Sequence, residues 1–433
     1  MPIPRWADTS DETPALITAS RTWTRREVDA AVRARIDRWG DVSRIAIVGT
    51  ASVEHVLDLL AAVEARIPAL MLHPRWTRSE TDAIVARFAP SLVVDGGIVR
   101  AELRSAASLE GALAVVATSG TGGAPKLAVL SRRAFVASAG ASAAHLGRRA
   151  DDRWLLAMPL AHVGGLGVVV RSIVYGSPIV LHEGDPSGWL PLARAASVTH
   201  VSLVPTGLAR LLDRGETFPP SVRVALVGGA ACPEHLLERA IAKGVPIHRT
   251  YGLTETCGQV ATTTTDPRAL VPLVGVDVRI MDGTIRVRSP AVMDGWLDSE
   301  SPFDSDGFYD TGDLGTLEGA HLTILARRTD LVISGGENVY PREVEDALER
   351  IAGVRAACVF GEPDLEWGQR VAAAIVVDGA PSDEEIVRRA RERLSGFKIP
   401  RRIARIDALA LNGTGKIDRA ATAAIAMPLL RSI

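Results

Sequence analysis

Cysteine is scarce in this chain. Cys232, Cys257 and Cys358 are the three in 433 residues, too few and too scattered for a disulfide framework or a zinc site. A reducing compartment is expected, and the cytoplasm fits it. Charge of one sign is missing as well: the formal net charge is −2, which leaves no electrostatic footprint for nucleic acid or an anionic membrane surface. No apolar run reaches the ~18 residues of a spanning helix. Even the stretch 155–170 is broken by Pro159, His162 and several glycines. The opening Met-Pro-Ile-Pro-Arg-Trp-Ala-Asp holds no signal-peptide core. Absent too is Gly-x-x-x-x-Gly-Lys-Ser/Thr, the commonest triphosphate loop. The expectation is a soluble protein with neither membrane nor nucleic acid as partner.

What is present is an ordinary globular composition, 47% hydrophobic and 23% charged, in a length that usual domain sizes divide into about three units. Ile45–Val48 precedes a helical pattern from Ser52 to Ala65, with Val56, Leu57, Leu59, Leu60 and Val63 on its apolar side. Ser177–Leu181 before Trp189–Ala196, and Val222–Val227 before Pro233–Ala242, repeat the pairing. Strands separated by helices of this length predict parallel sheets covered on both faces. Past Arg279, Val278–Ile280, Thr284–Arg288 and Leu322–Leu325 read as short strands of a separate antiparallel or barrel-like layer. Further on, Pro341 opens a helix with Val344, Leu348 and Ile351 on one face and Gly353 after it. Val371–Val377 reads as a strand, and Ser382 with Glu385 as a capping box for a helix ending near Gly396. The polar run Arg327–Asp330 marks a boundary. The expected class is therefore α/β. A large N-terminal domain (1–326) combines parallel and mixed sheets covered by helices with a small barrel-like layer, and a small α+β C-terminal domain (331–433) follows the 327–330 hinge.

Several short motifs carry chemistry, each with a bland alternative. Thr118–Lys126 reads Thr-Ser-Gly-Thr-Gly-Gly-Ala-Pro-Lys after the apolar run Ala112–Ala117. Hydroxyls and glycines expose backbone N–H groups and a lysine closes the loop, the chemistry of an anion cradle; otherwise it is a surface turn. Tyr251-Gly-Leu-Thr-Glu255 offers Glu255 as an oxygen ligand for Mg²⁺, which takes one or two carboxylates plus substrate phosphates; otherwise it is a loop with one exposed acid. Tyr309-Asp-Thr-Gly-Asp313 sets two carboxylates round a tight turn, where one can accept both hydroxyls of a ribose or merely make the turn. Ser334-Gly-Gly-Glu-Asn338 either lets a thin ligand pass close to the backbone or only connects a strand to the Pro341 helix. Asn412-Gly-Thr-Gly-Lys416 carries turn signals and a lysine, solvated or delivered to a phosphate.

In this order the motifs resemble the adenylate-forming superfamily of acyl-CoA synthetases, nonribosomal adenylation domains and luciferases, from about Thr22 to Arg419. Val359–Gln369 is similar to a segment of the CoA ligases. The resemblance implies that Thr118, Ser119, Gly120, Thr121, Gly122, Gly123 and Lys126 hold the β- and γ-phosphates of ATP. Gly228, Gly229, Ala230 and Tyr251 would border the adenine, with Gly252 and Thr254 beside them in the nucleotide site. Glu255 would bind Mg²⁺, Asp313 and Arg327 the ribose hydroxyls, and Gly335 and Gly336 the path of coenzyme A. Lys416 would meet the α-phosphate and the substrate carboxylate, making Lys416, Lys126 and Glu255 the catalytic set. It also implies two steps, adenylation and then thioester formation, with the C-terminal unit mobile about the hinge between them.

Within the superfamily the chain most resembles the o-succinylbenzoate–CoA ligases of menaquinone synthesis, on the stretch Met158–Gly176. Its small and apolar residues shape a slot for an aromatic ring. Arg171 is placed to engage the carboxylate that is not activated, against the bland reading of a surface salt bridge on a helix. His162, Gly165, Ser202 and Thr206 complete the implied acyl site, His162 as either a contact or a packed gate. Two positions depart from the family: Ala161 replaces an aromatic residue, and the Gly before Pro272 is replaced. The expected partners are o-succinylbenzoate, ATP with Mg²⁺ and coenzyme A, a homodimer being possible. The rival readings are another aryl- or acyl-CoA ligase and, further off, an inactive nucleotide-binding regulator.

Overall fold

Short buried strands and capped helices alternate through most of the chain, as the sequence predicts. The computed structural model describes residues 12–102, 109–118, 125–185, 188–379, 381–412 and 417–433. The chain divides into two units: Met1–Ala231, Ala240–Val278 and Val287–Tyr309 in the first, Cys232–Arg239, Arg279–Arg286 and Asp310–Ile433 in the second.

In the first unit Ile45–Val48 lies parallel between Ala69–Leu72 and Leu92–Asp95. Ser52 caps the following helix Val53–Glu64 by accepting from the His55 backbone N–H. This sheet runs in the order Gly295–Trp296, Lys126–Ser131, Ala112–Thr118, Ala69–Leu72, Ile45–Val48, Leu92–Asp95, Ile98–Glu102. A second sheet places Pro14–Ile17, Ile179–Leu181, Trp154–Leu156, His200–Leu203, Val224–Val227 and Ile247–Leu253 in parallel neighbours. Gly258–Thr263 and Leu270–Pro272 then extend it antiparallel. Strands such as Ala69–Leu72 and Val224–Val227 are buried at every residue, the reason they read as continuous apolar runs rather than alternating ones. The helix Val163–Tyr175 is buried from Gly165 to Ile173, Arg171 included.

In the second unit Val354–Asp364 and Gly368–Val377 form a long hairpin, with Arg402–Arg405 parallel to its second strand. Val344 and Leu348 of the helix Pro341–Glu349 pack with Val359, Ile375, Ile386 and Ile403 in one core. Three local expectations change. The segment read as a tight turn at Tyr309–Asp313 begins a ten-residue strand, Tyr309–Glu318, paired with His321–Arg327. Gly312 takes φ +71 within it, so the turn signals mark an irregularity inside a strand. The helix from Asp383 stops at Ala390, and Gly396–Lys398 is a separate 3₁₀ turn. Its capping box is half made: Ser382 accepts from the Glu385 N–H, while the Glu385 carboxylate turns to Arg388 and Arg389. Among the described residues no helix is long and apolar enough to cross a membrane.

Candidate active site

The anion-cradle motif spans a hairpin rather than a strand–helix turn. Ala112–Thr118 pairs antiparallel with Lys126–Ser131, and Thr118 sits directly opposite Lys126. The apolar Leu127–Leu130 run returns into the sheet and so closes the loop, unlike the helix that follows the commonest triphosphate loop. The exposed Lys126 ammonium lies 5.1 Å from the centroid of the Trp296 ring, a cation–π contact that holds the chain without cancelling its charge. Ser119, Gly120, Thr121, Gly122 and Gly123 lie outside the described residues, as does Lys416.

Glu255 is half-buried in the 3₁₀ turn Thr254–Thr256. Its carbonyl accepts from Met293 N–H at 2.7 Å, and the Leu253 N–H donates to Thr256 Oγ1 at 3.1 Å. Beyond the turn Cys257 adopts φ +50. Burial pushes its thiol well above the ordinary range, so it is inert packing. Tyr251 and Gly252 end the strand Ile247–Leu253. A Cβ on Gly252 would stand 1.7 Å from the Gly258 carbonyl oxygen, and one on Gly228 would stand 2.5 Å from Thr250 Cγ2. Both glycines are thus required by close backbone approach. Gly229 takes φ +79, and Ala230 beside it is exposed.

In the second unit Asp313 and Arg327 face each other across antiparallel strands and pair at 2.9 Å between Arg327 Nε and Asp313 Oδ1. Asp313 is buried and its N–H donates to Thr311 Oγ1; Arg327 is half exposed. One surface thus offers an acceptor and a donor side by side, which suits a vicinal diol. Gly335 and Gly336 make the turn between Val332–Ser334 and Glu337–Val339 with φ +59 and +84. Any Cβ on Gly335 would strike the Trp367 ring at 2.6 Å.

Of the implied acyl residues, His162, Gly165 and Arg171 lie at the start of or within the helix Val163–Tyr175. His162 is its N-cap without a side-chain cap bond, and its ring packs 5.1 Å from that of His73. Gly165 has no room for a side chain, a Cβ there falling 2.3 Å from the Pro159 carbonyl oxygen. Ser202 is half-buried on the strand His200–Leu203; Thr206 is exposed on the helix Pro205–Asp213.

Arg171 is not a surface salt bridge. Its residue is 5% exposed; Nη2 donates to Gln259 Oε1 at 3.1 Å, and the guanidinium lies 4.7 Å from the centroid of the Trp154 ring. Among the described residues its buried Nε has no hydrogen-bond partner. Burial, opposed in part by Tyr175, pulls its pKa below the ordinary value. A buried cation without a carboxylate is costly. Sequence reading missed Gln259, Trp154 and His73. Gln259 is 88 positions from Arg171, and no local signal joins them.

The chain matches the family models of the AMP-binding enzyme over residues 102–297 and of the AMP-binding enzyme C-terminal domain over 343–416. It is 37% identical to 2-succinylbenzoate–CoA ligase of Bacillus cereus over 76% of this chain and 73% of that protein, and 38% identical to the Bacillus mycoides protein of that name over the same shares. Among solved structures it is similar to o-succinylbenzoate CoA synthetase of Bacillus subtilis. The complex with the acyl-adenylate intermediate gives a TM-score of 0.87 at 30% identity, covering 96% of this chain and 97% of that one. The complex with ATP and a magnesium ion gives 0.86 at 30% identity, covering 97% and 99%. The chain belongs to the AMP-binding enzymes, and within them to the family of 2-succinylbenzoate–CoA ligases.

Proposed function

We propose that this chain adenylates 2-succinylbenzoate with ATP and transfers the acyl group to coenzyme A, in the cytoplasm, as a step of menaquinone synthesis. The observation that carries the substrate is Arg171, a buried guanidinium with no carboxylate partner among the described residues, on a helix entered through His162. A substrate with a second carboxylate supplies the missing anion.

In the first step a carboxylate oxygen bonds to the α-phosphorus and the bond to the bridging oxygen breaks, releasing pyrophosphate. Nucleophile and electrophile are both anionic, so the protein's part is to position them and offset charge. Thr118, the amides of 119–123 and Lys126 hold the leaving pyrophosphate, and Lys416 steadies the α-phosphate. Asp313 and Arg327 fix the ribose. Mg²⁺ on ATP needs one or two carboxylates plus phosphate oxygens, and Glu255, half-buried in the turn Thr254–Thr256, would supply one. When bound, the ion neutralises phosphate charge. In the second step the thiol sulfur of coenzyme A bonds to the acyl carbon, AMP leaves, and the thiol proton passes to solvent. The Gly335–Gly336 turn borders the thiol's approach, and rotation about 327–330 exchanges Lys416 for that turn.

Pyrophosphate release with 2-succinylbenzoate, benzoate and a medium-chain fatty acid tests this reading. The diacid should exceed both others in kcat/KM by at least about tenfold, the factor for a charged hydrogen bond. A faster benzoate or fatty-acid reaction would make the chain a different acyl-CoA ligase. No pyrophosphate release with any acid would leave only a nucleotide-binding role.

A further inference from the structure

Gln259 holds Arg171 without neutralising it. The direction of its amide follows from the hydrogen-bond chain behind it. Thr250 Oγ1 donates to the Ala261 carbonyl at 3.2 Å and lies 2.8 Å from Thr262 Oγ1, which lies 2.8 Å from Gln259 Nε2. A carbonyl only accepts, so Thr250 gives its proton to Ala261. Thr262 then gives its own to Thr250, and Thr262 Oγ1 receives from the Gln259 amide N–H. That leaves Gln259 Oε1, and not its NH₂, facing Arg171 Nη2. Gln259 is 4% exposed and Thr262 0%, so solvent does not compete for these bonds. On another side Trp154 lies under the guanidinium and stacks on His200 at 4.6 Å and 23° between planes. Burial holds His200 neutral, at a pKa of about 3. Among the described residues, each group holding Arg171 is polar or polarisable and none is an anion.

We propose that Gln259 is the positioning residue that sets diacid specificity: its neutral acceptor fixes the Arg171 guanidinium in place and leaves the positive charge for the substrate's second carboxylate. A glutamate there would hold the same geometry and satisfy the cation internally. This inference rests on Arg171 meeting that carboxylate, and its test keeps the two apart.

The readout is the ratio of kcat/KM for 2-succinylbenzoate to that for its analogue with hydrogen in place of the carboxylate that is not activated, by pyrophosphate release. Arg171→Met should collapse the ratio; if it does not, the assignment of Arg171 fails, and this inference with it. With Arg171 so established, Gln259→Glu, nearly isosteric, should lower the ratio at least tenfold. Gln259→Met removes the acceptor and adds no charge, and should lower it threefold to tenfold, a smaller fall than the glutamate causes. An unchanged ratio in Gln259→Glu, or a uniform fall for both acids, overturns the role of Gln259 and leaves Arg171 standing. Should Gln259→Glu not fold, an unchanged ratio in Gln259→Met overturns it alone.

Discussion

At the scale of single residues, the surroundings of each proposed site residue narrow what it can do. Arg171 is the sharpest case. Replacing it with Met should weaken diacid binding by about 1.5–3 kcal/mol, the range for a hydrogen bond to a charged group, read as a rise in KM for 2-succinylbenzoate beside a steady KM for ATP. Gly252 has the opposite character, its need being steric. A methyl group 1.7 Å from the Gly258 carbonyl oxygen cannot be seated, so Gly252→Ala should cost at least about 2 kcal/mol in stability, within the range for overpacking. A thermal midpoint equal to that of the parent would refute the crowding. The sequence displayed Arg171 and Gly252 as motif members. It did not show why each must be that residue, because the reasons are contacts with Gln259, Trp154 and Gly258, all on other elements.

At the scale of elements, the alternation of apolar strand and capped helix was readable because burial on both faces leaves uninterrupted runs such as Ala112–Ala117. Strand order was not. Ile45–Val48 sits between two later strands, and nothing in its own residues says so. The same holds for Tyr309–Glu318, where Gly312 and the flanking aspartates mimic a turn inside a strand. One element carries a pH prediction. Glu349 closes the helix Pro341–Glu349, and burial pushes it from an ordinary 4.5 to about 7 despite Arg342 and the Ala357 N–H. Glu345, Asp346 and His235 also face it. The folded chain therefore keeps a proton that the unfolded chain releases, so stability falls as pH rises from 4.5 through about 7. Glu349→Gln stays neutral and escapes that fall. The variant's thermal midpoint relative to the parent should be higher at pH 8 than at pH 5; a difference constant with pH would refute the shift.

At the scale of the whole molecule, the chemistry is divided between steps. Lys416→Ala should slow adenylation by at least about 10²-fold, as losing one transition-state charge contact does, while thioester formation from supplied acyl adenylate continues. Equal loss in both half-reactions would remove the division of labour assigned to Lys416. The change of texture past Arg279 was legible in the sequence. The inclusion of Cys232–Arg239 and Arg279–Arg286 in the second unit was not, since contacts and not chain continuity define it. The neutral partner of Arg171 has a genetic corollary. Codons for glutamine and glutamate differ by a single base, so the preference for a dianionic acid stands one nucleotide change from erasure. Gene copies released from making this product could drift toward monoacids at position 259 before any other residue of the pocket changed.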